Sequence, residues 1–188
     1  GTDTGDSSTD DITSDTTPTF DVECTIPGST ITLKETGGST LGTHTCVGTG
    51  TESVTAAPDM PEGTYDVFYT ETDLAGNESP DSPILPDVVI DTTDPVAPVI
   101  TSPTPGDNVP PTLTVTGTCE PDATVSVSSP NFVTSPVTGS CTGGTFSIPV
   151  DYGPYTGPDT ITATQTDLAG NGPSASDTIT GLTISSSN

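Results

Sequence analysis

Acidic side chains dominate the chemistry available to this chain. Its 188 residues carry 26 Asp and Glu against a single Lys or Arg, a formal charge of −25. Two of the carboxylates recur in one pattern, Asp73-Leu74-Ala75-Gly76-Asn77 and Asp167-Leu168-Ala169-Gly170-Asn171. Others gather at the N-terminus, as Asp3, Asp6, Asp10 and Asp11, and near mid-chain, as Asp91 and Asp94. Carboxylate, carboxamide and backbone carbonyl oxygens are hard donors, and calcium takes about six to eight of them from loops rich in Asp, Asn and Gly. The same Asp-x-x-Gly-Asn string is also a good turn, with Gly in left-handed backbone and Asp or Asn capping amides. Convergence of aspartates from separate segments separates the two readings.

Other chemistries fit less well. The strongly acidic surface repels nucleic-acid phosphates and anionic lipid, so cations are its natural partners. The lone histidine, His44, lies two residues before Cys46 in a strand-like run, and a Cys–His dyad would need both side chains to converge in a pocket. Carboxylate pairs that hydrolyse glycosides want an aromatic platform, and there is no Trp, with four Tyr and four Phe. The expectation is a non-enzyme. No apolar run approaches the ~18 residues of a membrane helix, and no basic region precedes an apolar stretch. Gly1 in place of an initiator methionine reads as a piece of a longer chain.

The elements that position these loops are β-strands. Hydrophobic residues make up 28% of the chain, with 20 Gly and 20 Pro, a composition that borders on disorder. Against disorder stands the pattern: short β-branched runs alternate with polar residues between turn signals, and helical periodicity is nearly absent. The chain also repeats itself. The second Asp-Leu-Ala-Gly-Asn string, the second cysteine pair, and Val125 and Val127 (matching Ile31 and Leu33) all follow their first copies by 94 or 95 residues. Strands are expected at 19–23, 30–33, 42–47, 52–56, 64–72 and 88–91, and at 99–101, 112–118, 124–128, 146–150, 160–166 and 177–182. About six strands per half suits a Greek-key sandwich. The reading is all-β, with two tandem immunoglobulin-like sandwiches, 1–94 and 95–188, joined end to end by the stiff Asp91-Thr92-Thr93-Asp94-Pro95 connector.

Cys24 and Cys46, and Cys119 and Cys141, have equal spacing in the two halves. Four cysteines permit three pairings, and the matched spacing favours one bond inside each domain, Cys24–Cys46 and Cys119–Cys141. That implies an oxidising compartment, with four reduced buried thiols in a cytosolic protein as the alternative. No Cys-x-x-Cys spacing points to zinc.

Because successive strands of a sandwich alternate in direction, Asp73 and Asn77 should lie at the pole of the N-terminal aspartates, and Asp167 and Asn171 near Asp91 and Asp94. Crowded carboxylates repel and raise one another's pKa, and a divalent ion removes that repulsion. Pro61-Glu62-Gly63 and Glu120-Pro121-Asp122-Ala123 read as solvated turns. Asn77-Glu78-Ser79 fits a glycosylation sequon, meaningful only in a eukaryotic secretory context. Lys34 reads as a surface or strand-edge lysine.

The Asp3-to-Phe20 segment, the Asp-Leu-Ala-Gly-Asn loops and the Val-Ile-Asp91-Thr-Thr-Asp-Pro connector resemble the tandem bacterial Ig-like repeats of giant type I-secreted (RTX-type) Gram-negative adhesins, over nearly the whole chain. The resemblance implies an extender stalk at the cell surface, neighbouring Ig-like repeats as partners, and Ca2+ at domain junctions with ligand roles for Asp3, Asp10, Asp73, Asp91 and Asp167. A receptor would then lie elsewhere in the parent protein. The cysteine pairs depart from that family, and Ser102-Pro103-Thr104-Pro105-Gly106-Asp107-Asn108 replaces the acidic segment in the second half. A module that grips a host glycan or protein is the alternative function.

Overall fold

The computed structural model describes residue 7 and residues 9–185. The chain divides into two compact units, Gly1–Thr92 and Thr93–Asn188. Among the described residues every element is a strand.

Unit 1 contains β1 (Ile12–Thr13), β2 (Thr19–Cys24), β3 (Thr30–Glu35), β4 (Thr40–Thr45), β5 (Gly50–Thr55), β6 (Gly63–Thr72) and β7 (Leu85–Ile90). They form a five-stranded sheet ordered β1-β7-β6-β3-β4 and a two-stranded sheet, β2-β5. The pairing is antiparallel except that β1 runs parallel to β7, with Ile12 opposite Val89. Alternation selects the inward face: Ile31 and Leu33 of β3, Val22 and Cys24 of β2, and Val88 and Ile90 of β7 are buried. Burying each Val, Leu or Ile stabilises by roughly 1.5–3 kcal/mol, and Met60 and Val54 complete this core.

Unit 2 contains β8 (Val99–Ser102), β9 (Asn108–Val109), β10 (Thr112–Thr118), β11 (Thr124–Ser128), β12 (Val137–Ser140), β13 (Thr145–Asp151), β14 (Gly157–Thr166) and β15 (Asp177–Ile184). Its sheets are β13-β10-β8 and β12-β11-β14-β15-β9. This is the unit 1 arrangement with one more strand described: the first strand splits, β8 pairing with β10 and β9 running parallel to β15. The core is more aromatic here, with Phe132, Phe146 and Tyr152 beside Ile148, Ile161 and Leu182. Gly117 in β10 is forced by packing, since a Cβ there would sit 2.1 Å from the Val99 carbonyl oxygen and 2.5 Å from the Phe146 ring. An all-β pair of immunoglobulin-like sandwiches is what the alternation and duplication predicted.

Cys24 is bonded to Cys46 and Cys119 to Cys141, each pair 22 residues apart. In each unit the bond ties the end of one sheet's strand (β2 or β10) to the residue just after the outer strand of the other sheet (β4 or β12).

Candidate metal-binding poles

Each Asp-Leu-Ala-Gly-Asn loop follows the longest strand of its unit, β6 or β14, and is held by its own side chains. Asp73 Oδ1 accepts the backbone N–H of Ala75 and of Asn77, both at 2.8 Å, and its Oδ2 accepts Asn77 Nδ2 at 2.8 Å. The Asp73 N–H returns to the Asn77 carbonyl at 3.0 Å. In unit 2, Asp167 Oδ1 accepts the Asn171 N–H at 2.8 Å and Oδ2 accepts Asn171 Nδ2 at 2.9 Å. Gly76 and Gly170 have φ of +88° and +87°, which is why the fourth residue is Gly in both. The Asn77 hydrogen bonds, foremost its side-chain amide, hold the Asp73 carboxyl below the ordinary aspartate range. The turn reading therefore accounts for the string's residue types.

The two units differ in what bears on the expected convergence. In unit 2, Gln165 Nε2 donates to the Val96 carbonyl at 2.7 Å. Val96 is two residues past Asp94, and Gln165 two residues before Asp167, so this bond joins the segment that carries Asp94 to the end of β14 that leads to Asp167. In unit 1 the register separates the partners. The Asp11 carbonyl accepts the Val89 N–H, and Val89 lies opposite Thr64 at the start of β6, whereas Asp73 follows the end of that ten-residue strand. Asp10 turns inward on its own segment, accepting the Ile12 N–H at 3.2 Å. The expectation that Asp10 and Asp11 join Asp73 and Asn77 at one pole is thus corrected, because the short β1 descends beside the far end of β7. Asp3 and Asp6 lie outside the described residues. Asp91 closes unit 1, its N–H bonded to the Thr13 carbonyl at 3.0 Å.

As a fit for calcium, the loops offer oxygen donors only, which suits a hard cation. Each could supply one edge of a calcium shell rather than a cage, and a full shell would need further oxygens from adjoining segments. Among the described residues of each unit, the one close group of three potential metal-binding side chains is Cys24, His44 and Glu52.

Sequence reasoning missed the buried polar residues that hold the loops of both units. Glu71 in β6 is buried and accepts the N–H of Thr25 (3.1 Å) and Ile26 (2.9 Å) and the hydroxyls of Thr25 (2.6 Å) and Ser29. Burial pushes its carboxyl up, but these hydrogen bonds outweigh it and hold the pKa below the ordinary value. A polar residue at an inward-facing position, repeated as Gln165, was the available signal. In unit 2, Asp159 is buried and takes the Ser129 hydroxyl and Asn131 Nδ2 (2.7 Å), pinning the 129–136 loop. Its counterpart, Tyr65, instead donates its hydroxyl to the Pro61 carbonyl at 2.7 Å. His44 Nε2 lies 2.6 Å from Glu52, and Cys46 is in the disulfide, so no Cys–His dyad forms. Lys34 pairs with Glu78 at the surface.

No curated protein sequence is significantly similar to this chain. Among solved structures, the fibronectin(III)-like modules of Clostridium thermocellum CbhA are similar over 93% of this chain and 88% of theirs, at 16% identity and a TM-score of 0.52. The BSP domain of a biofilm-associated protein is similar at 23% identity and a TM-score of 0.36, this chain spanning 28% of its length. A Ca2+-stabilized ice-binding adhesin of an Antarctic bacterium is similar at 22% identity and a TM-score of 0.43, this chain spanning 45% of it. Residues 1–92, just under half of the chain, match the Bacterial Ig-like domain family, and the fold of both units is the immunoglobulin-like sandwich that this family name describes.

Proposed function

We propose that this chain is an extender module of a bacterial surface adhesin, an RTX-type stalk segment in which two Ig-like repeats, divided at the Asp91–Pro98 connector, are stiffened by calcium at their poles. The observation that carries the reading is the Gln165–Val96 bond, which ties the connector to the end of β14 that leads to Asp167. Calcium bound there would neutralise carboxylates that otherwise repel. Asp94, Asp167 and Asn171 would hold it in unit 2, and Asp73, Asn77, Asp91 and Asp3 are the candidates that unit 1 offers. Asp10 holds no more than a supporting place, since it lies beside the far end of β7. The two disulfides fit an oxidising, extracellular setting. No helix among the described residues is long and apolar enough to cross a membrane.

One observation favours the alternative, a module that grips a partner. A groove of about 700 Å³ in unit 2 is lined by Leu113, Val133, Val137 and Val150. Its lining has no aromatic ring to stack on a sugar, so a protein fits it better than a glycan.

Calorimetric titration of the exhaustively chelated chain with calcium tests the proposal. Saturable binding, weakened about tenfold or more by Asp167→Ala, supports it. Absence of binding moves the groove reading to first place.

A further inference from the structure

The Cys24–Cys46 bond of unit 1 has neighbours that the Cys119–Cys141 bond of unit 2 lacks. Cys24 Sγ, a ring nitrogen of His44 and a carboxylate oxygen of Glu52 lie within 4.8 Å of one another. His44 is on β4, the outer strand of one sheet, and Glu52 on β5 in the other, so their contact crosses between the sheets beside the disulfide that does the same. Glu52 is anchored by the N–H of Val47 (3.0 Å) and of Gly48 (2.8 Å). The half-cystines are buried, while His44 and Glu52 are 28% and 19% exposed, leaving an approach from solvent.

In unit 2 the same places hold no ligand. Gly139 stands two residues before Cys141, as His44 does before Cys46. Phe146 lies opposite Gly117, as Glu52 lies opposite Val22. Phe146 and Ile148 fill that edge with core side chains, and a Cβ on Gly139 would meet Ile148 at 2.8 Å.

While the sulfurs are bonded to each other, neither is a thiolate, and the group has no soft ligand. A newly made chain carries thiols. Cys24 Sγ then converges with one imidazole and one carboxylate, and Cys46, its disulfide partner, supplies the adjacent second sulfur. Two sulfurs, a nitrogen and an oxygen are a donor set suited to tetrahedral zinc, with sulfur at about 2.3 Å and nitrogen and oxygen near about 2.0 Å. Glu71 Oε1, 4.0 Å from Cys46 Sγ, is committed to its backbone and hydroxyl donors and stays outside this shell.

We propose that unit 1, before its disulfide forms, binds one zinc-class divalent ion through Cys24, Cys46, His44 and Glu52. The ion cross-links the two sheets where the disulfide later does. Binding displaces the two thiol protons. Disulfide formation by exchange with an external disulfide removes both thiolates, two electrons passing to the incoming disulfide, and the ion leaves.

Cobalt(II) serves as the probe, because thiolate ligation in a tetrahedral field gives charge-transfer and d–d absorption. The full chain is reduced with a phosphine, which converts each S–S bond to two thiols and takes up water's oxygen as phosphine oxide. The reduced chain is expected to bind one cobalt ion, displaceable by zinc, and the oxidised chain none with thiolate absorption. His44→Ala and the conservative Glu52→Gln should each weaken binding about tenfold or more. The proposal is overturned by no binding to the reduced chain, by two ions per chain (which would mean that any cysteine pair suffices), by variants that bind as the parent does, or by loss of the β-sheet circular dichroism signal in the zinc-loaded reduced chain.

Discussion

Glu71 and Gln165 hold the same place in the two units, and each accepts the backbone N–H of the residue that follows the first half-cystine: Thr25 for Glu71, Glu120 for Gln165. Each is supported from behind in the same way, its own N–H donated to a serine hydroxyl, Ser79 at 2.9 Å and Ser174 at 3.0 Å. The duplicated chain thus keeps one buried polar anchor per sandwich beneath the disulfide, carboxylate in one and carboxamide in the other.

Removing the first anchor leaves the backbone amides of Thr25 and Ile26 and the Thr25 hydroxyl without their partner in a part-buried setting, while Ser29 Oγ keeps the Ile26 carbonyl. Glu71→Ala should destabilise unit 1 by roughly 3 kcal/mol, and Glu71→Gln by less than half of that, since unit 2 already works with the amide. Urea denaturation followed by a probe of unit 1 measures both.

The same residue makes unit 1 acid-sensitive. Its folded pKa is depressed, because the Ser29, Thr25 and Ile26 hydrogen bonds outweigh burial. Its contribution is therefore fully present above the unfolded glutamate value and is lost as pH falls through the folded one. Acid also relieves the repulsion within a chain of charge −25, so the informative quantity is a difference. The stability gap between the parent and Glu71→Gln should narrow as pH drops below the ordinary glutamate range, read from denaturation midpoints at a series of pH values.

Gly117→Ala should cost unit 2 roughly 3 kcal/mol, because the new methyl meets the Val99 carbonyl and the Phe146 ring well inside contact distance and both are fixed by the sheet and the core. Thermal unfolding of the variant checks this.

Two tyrosines should respond differently to loss of the hydroxyl. Tyr65→Phe removes the bond to the Pro61 carbonyl and should cost about 1 kcal/mol. The Tyr152 hydroxyl is fully buried and has no hydrogen bond of normal geometry, and burial together with nearby Asp159 pushes its ionisation far up. Tyr152→Phe should therefore change stability by less than about 1 kcal/mol, in either direction. Denaturant midpoints for the two variants decide it.

Much of this architecture was legible in the residues. Strict alternation in Thr145–Asp151 and the β-branched runs of β3 and β11 announce their strands, and the repeated Asp-Leu-Ala-Gly-Asn and cysteine spacings announce the duplication. What escaped had weak local signals. The two-residue strands β1 and β9 are defined by parallel partners far along the chain, and β12, Val-Thr-Gly-Ser, carries one apolar residue. The height of Asp10 was misread for that reason: it depends on how far β1 slides along β7, a register that no local pattern encodes. Glu52 and His44 were hidden similarly, since only the stacking of two sheets brings them to Cys24.

Whether calcium stiffens the chain is decided by small-angle X-ray scattering of one sample in calcium and after chelation. Calcium should give a longer maximum dimension and a narrower, rod-like distance distribution, largely lost in an Asp94→Ala/Asp167→Ala variant. Superimposable profiles in calcium and chelator would contradict it.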